Sequence, residues 1–209
     1  MKMLLKQCRK GTWLFGLLAL LALAACGTNP ASNTGADNAV TPQKSNSFTF
    51  SLVPSPNITK CLANAAGHVT IVPGDLNDLM TVSVTGLAPN TGYDLFVIQL
   101  PNKPFGISWY QSDLETDGHG NGSVSVRGIF NVETFSVSPG GPTTTFGATH
   151  QYHLGLWFND PQVPFKLGCE PGATAPIVTP FNGEQHAGIQ VLNTSTFPDN
   201  AGPLSHVSA

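Results

Sequence analysis

Acidic residues at alternate positions precede a glycine-rich stretch in the middle of the chain, a spacing that is typical of cation-binding loops. Asp113, Glu115 and Asp117 are the residues concerned, and calcium takes several hard oxygen ligands of this type. An EF-hand would need a bidentate Glu at the twelfth position, which is occupied by Val124. We therefore favour a hairpin turn within residues 113–122, where Asp, Asn and Gly tolerate positive φ, and keep a calcium loop as the alternative.

The other chemistry-bearing residue types form no recognisable site in the sequence. His150 and His153 lie three positions apart on a predicted strand, so they face opposite sides of it. The sequence contains no G-x-S-x-G, S-x-x-K or H-E-x-x-H motif. We therefore assign no metal, no cofactor and no catalytic residue, and we favour a non-enzyme over an enzyme.

Aromatic residues collect near Gly, Pro and amide side chains, and this composition has two interpretations. The first is a platform for a carbohydrate or a peptide ligand. The second, which we favour, is that the rings fill the core of a β domain. The residues concerned are Phe105, Trp109, Tyr110, Tyr152, Trp157 and Phe158.

The N-terminal segment has the organisation of a secretory signal. Four of the nine basic residues precede Gly11, and none of the twelve acidic residues comes before Asp37. Residues 13–25 then form a run of apolar and small side chains. This run is shorter than the roughly 20 residues that a transmembrane helix needs, so we predict a signal peptide over residues 1–25.

The end of this segment resembles the lipobox of bacterial lipoproteins. The matching residues are Leu23-Ala24-Ala25-Cys26-Gly27, and the resemblance implies that the chain is cleaved before Cys26, whose thiol is acylated. Two or three acyl chains hold a protein at a membrane firmly, whereas one binds only marginally. The alternative is an ordinary signal peptide that ends in a cysteine by chance. The resemblance predicts lipid anchoring on the extracytoplasmic face of the cell membrane or the outer membrane.

Two cysteines remain once Cys8 leaves with the signal and Cys26 is acylated. Cys61 and Cys169 form an even pair in an exported domain, and a disulfide is the natural interpretation of such a pair. Neither has the C-x-x-C spacing of redox or zinc motifs, so a reactive or metal-binding thiol pair is the less favoured alternative. For a loop of about 100 residues, the chain-entropy model gives about 4.7 kcal/mol of stabilisation, which strain usually reduces.

Without residues 1–25 the protein is acidic, with five basic and twelve acidic residues and a net charge of −7. Such a protein offers no electrostatic footprint for nucleic acid, so we exclude nucleic-acid partners. Residues 26–46 are small and polar and include prolines, a composition that cannot bury enough apolar surface to fold. We predict a flexible tether there.

Beyond the tether, short runs alternate between apolar and polar residues. Period 2 is typical of half-buried strands, and about eight such runs are separated by turn residues without a sustained helical period. This pattern predicts an all-β domain, a sandwich or a barrel. We place the domain at residues 47–197 and a disordered tail at 198–209. The clearest runs are residues 47–53, 68–72, 79–84 and 123–127.

One motif indicates the kind of β domain. Leu87-Ala88-Pro89-Asn90-Thr91-Gly92-Tyr93 resembles the L-x-P-x-T-x-Y corner of fibronectin type III and related immunoglobulin-like domains. The resemblance implies an antiparallel β-sandwich in which the Tyr93 hydroxyl bonds to nearby backbone. Leu87, Pro89 and Thr91 shape the corner, with the Thr91 hydroxyl on the surface. The pattern also resembles uncharacterised secreted bacterial proteins, and neither resemblance carries an activity.

Together these features predict a lipid-anchored, immunoglobulin-like β-sandwich with one disulfide, located in a bacterial cell envelope. We expect a binding or structural module whose ligand is a protein or a glycan. The alternative is a secreted, hydrolase-like enzyme. A deep pocket in which His and carboxylate groups converge would favour the enzyme, and loops without such a pocket would favour the module.

Overall fold

Strands dominate the computed structural model of the protein, which describes residues 47–130, 136–137, 140–145, 152–180 and 186–207. The described residues belong to one compact unit, Pro42–Ala209. The strands are β1 (Phe48–Pro54), β2 (Ala66–Val72), β3 (Asp78–Thr85), β4 (Gly92–Ile98), β5 (Ser108–Glu115), β6 (Gly122–Gly128), β7 (Ser136–Val137), β8 (Thr144–Thr145), β9 (His153–Phe158) and β10 (Gln190–Asn193). The helices are α1 (Ile58–Cys61), α2 (Gln162–Lys166) and a 3-10 turn, Pro203–His206.

Eight of these strands form one antiparallel sheet in the order β5-β4-β9-β10-β1-β2-β3-β6, and β7 pairs with β8 separately. Strand β1 joins the two halves of the large sheet, because residues 48–52 pair with β2 while residues 53–54 pair with β10. The first and last strands in this order, β5 and β6, are consecutive in the chain and meet in a hairpin where Thr116 bridges to Gly122. The predicted all-β, antiparallel class is confirmed.

The core draws its side chains from both halves of the large sheet. Val69 and Val82, from β2 and β3, belong to the same buried cluster as Leu95 and Leu156, from β4 and β9. All four are inaccessible to solvent. Full burial of an aliphatic side chain is worth about 1.5–3 kcal/mol, so this cluster is the main source of stability.

The predicted disulfide is confirmed. Cys61 ends α1 and is bonded to Cys169, which lies three positions after α2, with the two Cα atoms 5.1 Å apart. The bond closes a sequence separation of 108 residues. Both short helices lie where the sequence shows no helical period, because four or five residues make fewer than two turns.

The bend between β3 and β4 is organised around Tyr93. Its ring is fully buried and packs on Phe158, with the ring centroids 5.1 Å apart. Its hydroxyl accepts a hydrogen bond from the backbone N–H of Ala88 at 3.0 Å. Leu87, the first residue of the motif, is also buried. The tyrosine therefore links the start of the bend to the strand that leaves it.

Thr91, in the same bend, is buried rather than on the surface, so that part of the expectation is wrong. Its hydroxyl donates to the carbonyl of Pro89 at 2.9 Å. Its backbone N–H donates to the hydroxyl of Thr116 at 3.0 Å, because the hairpin that follows β5 packs over the bend. A non-local contact of this kind leaves no trace in the local sequence pattern.

The C-terminal segment is folded as far as residue 207, so the prediction of a disordered tail is wrong for residues 198–207. Leu204 is fully buried, and its backbone N–H donates to the carbonyl of Tyr152 at 3.1 Å. Val207 is buried as well. Leu204 lies in the 3-10 turn, and Val207 caps its end by donating its backbone N–H to the carbonyl of Leu204, so both side chains reach the core. The apolar content was too sparse to reveal this pattern.

The predicted signal peptide, Cys26 and the tether lie outside the described residues. No helix in the described part of the chain is long and apolar enough to cross a membrane.

Candidate functional site

A second apolar cluster covers the face of β4 and β9 that points away from the main core. Phe96, Ile98, Trp157 and Ala187 are buried together there, and Phe105 packs against them. Successive residues of a strand point to opposite faces, so a strand buried on both sides contributes to two clusters. A cleft opens beside this outer cluster.

Trp157 is at the centre of the outer cluster. Its ring packs edge-on against Phe96 and Phe105, with centroid distances of 5.3 and 5.0 Å. The ring also lies directly over Gly155, where any Cβ atom would collide with it. Trp157 is only 4% exposed, and its indole N–H has no hydrogen-bond partner in the described part of the chain. The ring is therefore fixed by its neighbours, while its indole N–H donates to none of the described residues.

A cleft of about 460 Å³ opens beside Trp157. It is lined by Trp157 and Gln190 from neighbouring strands, by Phe105 from the β4–β5 loop, and by Glu170 and Ile177 from the segment after α2. Two depressions of similar volume share Phe105 and continue from the cleft. The volume falls within the roughly 300–1,000 Å³ of small-molecule sites.

The β4–β5 loop forms the rim on one side of the cleft. Backbone hydrogen bonds of 2.9 Å from Gln99 to Ile107 and from Leu100 to Phe105 close this loop. Gly106 turns the chain with a φ of 69°, a conformation that favours glycine. These bonds hold Phe105 at the mouth of the cleft.

Glu170 contributes a carboxylate on the opposite side. It is only 7% exposed and directly follows Cys169, whose disulfide fixes the backbone there. Its Oε2 accepts a hydrogen bond from the backbone N–H of Ile177 at 2.9 Å. Its Oε1 is buried without a partner among the described residues. Only one of the two carboxylate oxygens of Glu170 therefore accepts a hydrogen bond from the described residues.

The side-chain amide of Gln190 joins the cleft to three parts of the fold. Its Oε1 accepts hydrogen bonds from the Ser55 hydroxyl and from Asn193 Nδ2, both at 2.9 Å. Its Nε2 donates to the carbonyl of Pro101 at 3.2 Å. These bonds tie β10 to the end of β1 and to the rim loop, so Gln190 has a structural role.

Few of the described residues that line the cleft carry titratable side chains. In the part of the chain that the structure describes, they include one carboxylate, Glu170, one amine, Lys103, and no histidine. Nucleophilic and glycosidic hydrolysis need a nucleophile with its base or two facing carboxyl groups. Aromatic walls with a few placed polar groups are typical of ligand pockets.

The six aromatic residues named in the sequence analysis lie in different environments. Phe158 is fully buried in the main core, as predicted, whereas Trp157 is buried on the outer face. Trp109 and Tyr110 are 47% and 40% exposed, so core packing is wrong for these two. They lie on β5, an edge strand that is covered less than the interior strands. Tyr152 is partly buried, and Phe105 is at the cleft.

The three calcium-ligand candidates do not converge. Asp113 and Glu115 lie two positions apart on β5, and Asp117 lies in the turn that follows. Asp117 uses its Oδ1 to bind two backbone N–H groups of the turn. No His, Cys, Asp and Glu group of the described chain has the geometry of a metal site.

Asp117 instead caps the hairpin turn. Its Oδ1 accepts backbone N–H groups from His119 and Asn121, at 2.8 and 2.9 Å. These two hydrogen bonds, with Asn121 first, lower the pKa of the Asp117 carboxyl. Gly120 has a φ of 76°, which completes the turn. This arrangement is the hairpin that the sequence favoured.

A carboxyl pair that the sequence did not reveal lies on β4 and β5. Asp94 is 1% exposed, and its Oδ1 accepts a hydrogen bond from Asn159 Nδ2 at 3.0 Å. Its Oδ2 is buried and receives no N–H or O–H bond from the described residues. Burial raises the pKa of Asp94, and the charge of Asp113 opposite raises it further. The Tyr110 hydroxyl donates to Asp113 at 2.7 Å.

Of the two histidines on the predicted strand, His150 lies outside the described residues, and His153 is a buried structural residue. Its Nδ1 is 2.9 Å from the Thr194 hydroxyl, and its Nε2 is 3.1 Å from the carbonyl of Asp199. A carbonyl only accepts, so Nε2 carries the proton and Nδ1 accepts from Thr194. Burial lowers the pKa of His153, which keeps the ring neutral.

No protein-family model matches the chain, and no curated protein sequence matches it. The functional assignment therefore depends on the sequence features and on the cleft itself.

Proposed function

We propose that the protein is a lipid-anchored binding module on the extracytoplasmic face of a bacterial cell envelope. The lipobox resemblance at Cys26 and the polar segment that follows it support anchoring through a tether. The disulfide between Cys61 and Cys169 supports export, because disulfides persist in oxidising compartments. The membrane, through the lipid, and a protein or glycan ligand are the partners.

The observation that carries the binding role is the cleft beside Trp157. The backbone of its walls is preformed, since hydrogen bonds close the loop that carries Phe105 and a disulfide holds the chain before Glu170. Its surface is mainly apolar and combines two aromatic rings, Phe105 and Trp157, with several polar side chains. Such a site loses little conformational entropy when a ligand enters, which favours affinity.

A hydrolase-like enzyme is the second candidate, and the pair of Asp94 and Asp113 is the observation that favours it. Paired carboxyl groups can share a proton and serve as acid and base. Neither residue lines the cleft, however. We therefore retain a binding module as the proposed function.

We further propose that the fold is an immunoglobulin-like sandwich, with the two halves of the large sheet as its layers. Residues of both halves share one buried cluster, which supports facing layers. The hydrogen bond between the Tyr93 hydroxyl and the N–H of Ala88 supports the corner of that fold class.

Sedimentation with isolated envelope fragments tests the binding role. The full-length protein in detergent should co-sediment with these fragments, and Phe105→Ala should reduce the bound fraction at least fivefold. Trp109→Ala is the matched control, since it removes an exposed aromatic ring outside the cleft and should bind as the wild type does. Absence of any binding, or a loss confined to Trp109→Ala, would contradict the proposal.

A further inference from the structure

Two polar atoms that have no partner among the described residues belong to side chains that line the same cleft. The indole N–H of Trp157 can only donate a hydrogen bond, and Glu170 Oε1, on a carboxylate, can only accept one. Both residues are more than nine-tenths buried. Buried polar atoms are normally paired, so these two mark positions where a partner is missing.

The missing partners define the chemistry of a ligand. The ligand must offer an acceptor to Trp157 and a donor to Glu170, and a hydroxyl group does both. It must also present an apolar surface to the ring of Phe105, which is partly exposed at the mouth. A sugar ring combines hydroxyl groups around its edge with C–H groups on its faces.

We infer that the cleft binds a neutral saccharide, with its hydroxyl groups on Glu170 and Trp157 and a face of the sugar ring on Phe105. This inference rests on the proposed binding function and adds the ligand class. The exposed amides of Asn57 and Asn102 on the rim supply further donors and acceptors for neighbouring hydroxyl groups.

The arrangement of strands and charges argues against the other ligand classes. Extended peptides pair with the edge of a sheet, whereas the cleft lies on β9 and β10, which are interior strands. Polyanions need several cations, and the described lining residues offer Lys103 alone. A simple alkylammonium ion could pair with Glu170, but it has no acceptor for the N–H of Trp157.

Both unpaired atoms are closed to solvent when the cleft is empty. The Phe105 ring, which contacts Trp157 directly, must therefore turn aside on its fixed loop when the ligand enters, and it then packs on the face of the sugar. A ring that moves during binding changes the surroundings of the indole, so tryptophan fluorescence reports the event.

The test is a titration of the full-length protein in detergent with neutral oligosaccharides: cello-, malto- and chito-oligosaccharides. At least one should bind and change the tryptophan fluorescence. Glu170→Gln and Trp157→Phe should each weaken that binding at least tenfold. Trp109→Phe is the matched control for Trp157→Phe and should leave the affinity unchanged, and urea melts verify that every variant is folded.

Two results would overturn the inference: no binding by any of these saccharides, or binding that Glu170→Gln and Trp157→Phe leave unchanged. Envelope sedimentation separates this failure from failure of the proposed function. If the protein still binds envelope fragments through Phe105 while no saccharide binds or competes, the binding module stands and the saccharide class falls. If the protein binds neither envelope fragments nor a saccharide, both the binding module and the saccharide ligand are contradicted.

Discussion

Asp94 and Asp113 lie directly opposite each other on β4 and β5, one carboxyl group buried and the other exposed. The unused Oδ2 of Asp94 has a simple explanation in this pair, because a proton on that oxygen can be donated to the Asp113 carboxylate. The raised pKa of Asp94 has the same origin: burial first, then the neighbouring charge. The pair should therefore respond to pH.

Asp94→Asn should stabilise the protein at neutral pH. An Asn amide keeps the acceptor for Asn159 and places a donor where the proton of Asp94 would be. A pKa raised by folding means that the stability contributed by Asp94 is complete below the unfolded value of about 3.9 and is lost as pH rises through the folded pKa. At pH 7, the free energy of unfolding of Asp94→Asn should exceed that of the wild type by about 1.4 kcal/mol for each unit by which folding raises the pKa of Asp94.

Urea unfolding between pH 3.5 and 7.5 measures this difference. The advantage of Asp94→Asn should shrink towards zero at the acidic end. Asp75→Asn, at an exposed position, is the control and should stay within about 0.5 kcal/mol of the wild type. A less stable Asp94→Asn variant at pH 7 would refute the shared proton.

Tyr93→Phe should destabilise the corner by roughly 1–3 kcal/mol. The substitution keeps the ring on Phe158 but leaves the backbone N–H of Ala88 buried without its acceptor. Urea melts provide the measurement. Tyr110→Phe removes a hydroxyl from a much more exposed ring, where water replaces the lost bond to Asp113, and should cost about 1 kcal/mol or less. Equal stabilities of Tyr93→Phe and wild type would remove the support for an immunoglobulin-like corner.

The double variant Cys61→Ser/Cys169→Ser should lower the free energy of unfolding by about 3–5 kcal/mol, because the unfolded chain loses its cross-link. Non-reducing peptide mapping of the wild type should recover one cross-linked pair. Reduced wild type should match the double variant, which separates loss of the bond from loss of packing. An oxidised wild type no more stable than the double variant would be at odds with this role.

The parts of the fold that the sequence predicts are those with a local signature. Alternation places β1, β2, β3 and β6 correctly, because each has one face in the core and one outside. Cysteine parity predicts the disulfide, and the L-x-P-x-T-x-Y motif predicts the environment of Tyr93. Each of these signals is contained in a few neighbouring residues.

The cleft had no comparable signature. Strand β9 is buried on both faces, so its sequence does not distinguish Trp157, on the cleft, from Phe158, in the core. Glu170 and Phe105 meet near Trp157 through loops that are distant in the chain. Contacts of this kind depend on the tertiary fold, and the packing of Leu204 is another that the local sequence does not predict.

Lipid attachment at Cys26 is the part of the proposed function that places the binding module at a membrane, and metabolic labelling with radioactive palmitate tests it most directly. The wild type should incorporate the label, and Cys26→Ser should incorporate none, because the acylated thiol is absent. Cys8→Ser, which changes a cysteine within the predicted signal peptide, is the matched control and should be labelled as strongly as the wild type. Equal labelling of the wild type and Cys26→Ser would contradict the account.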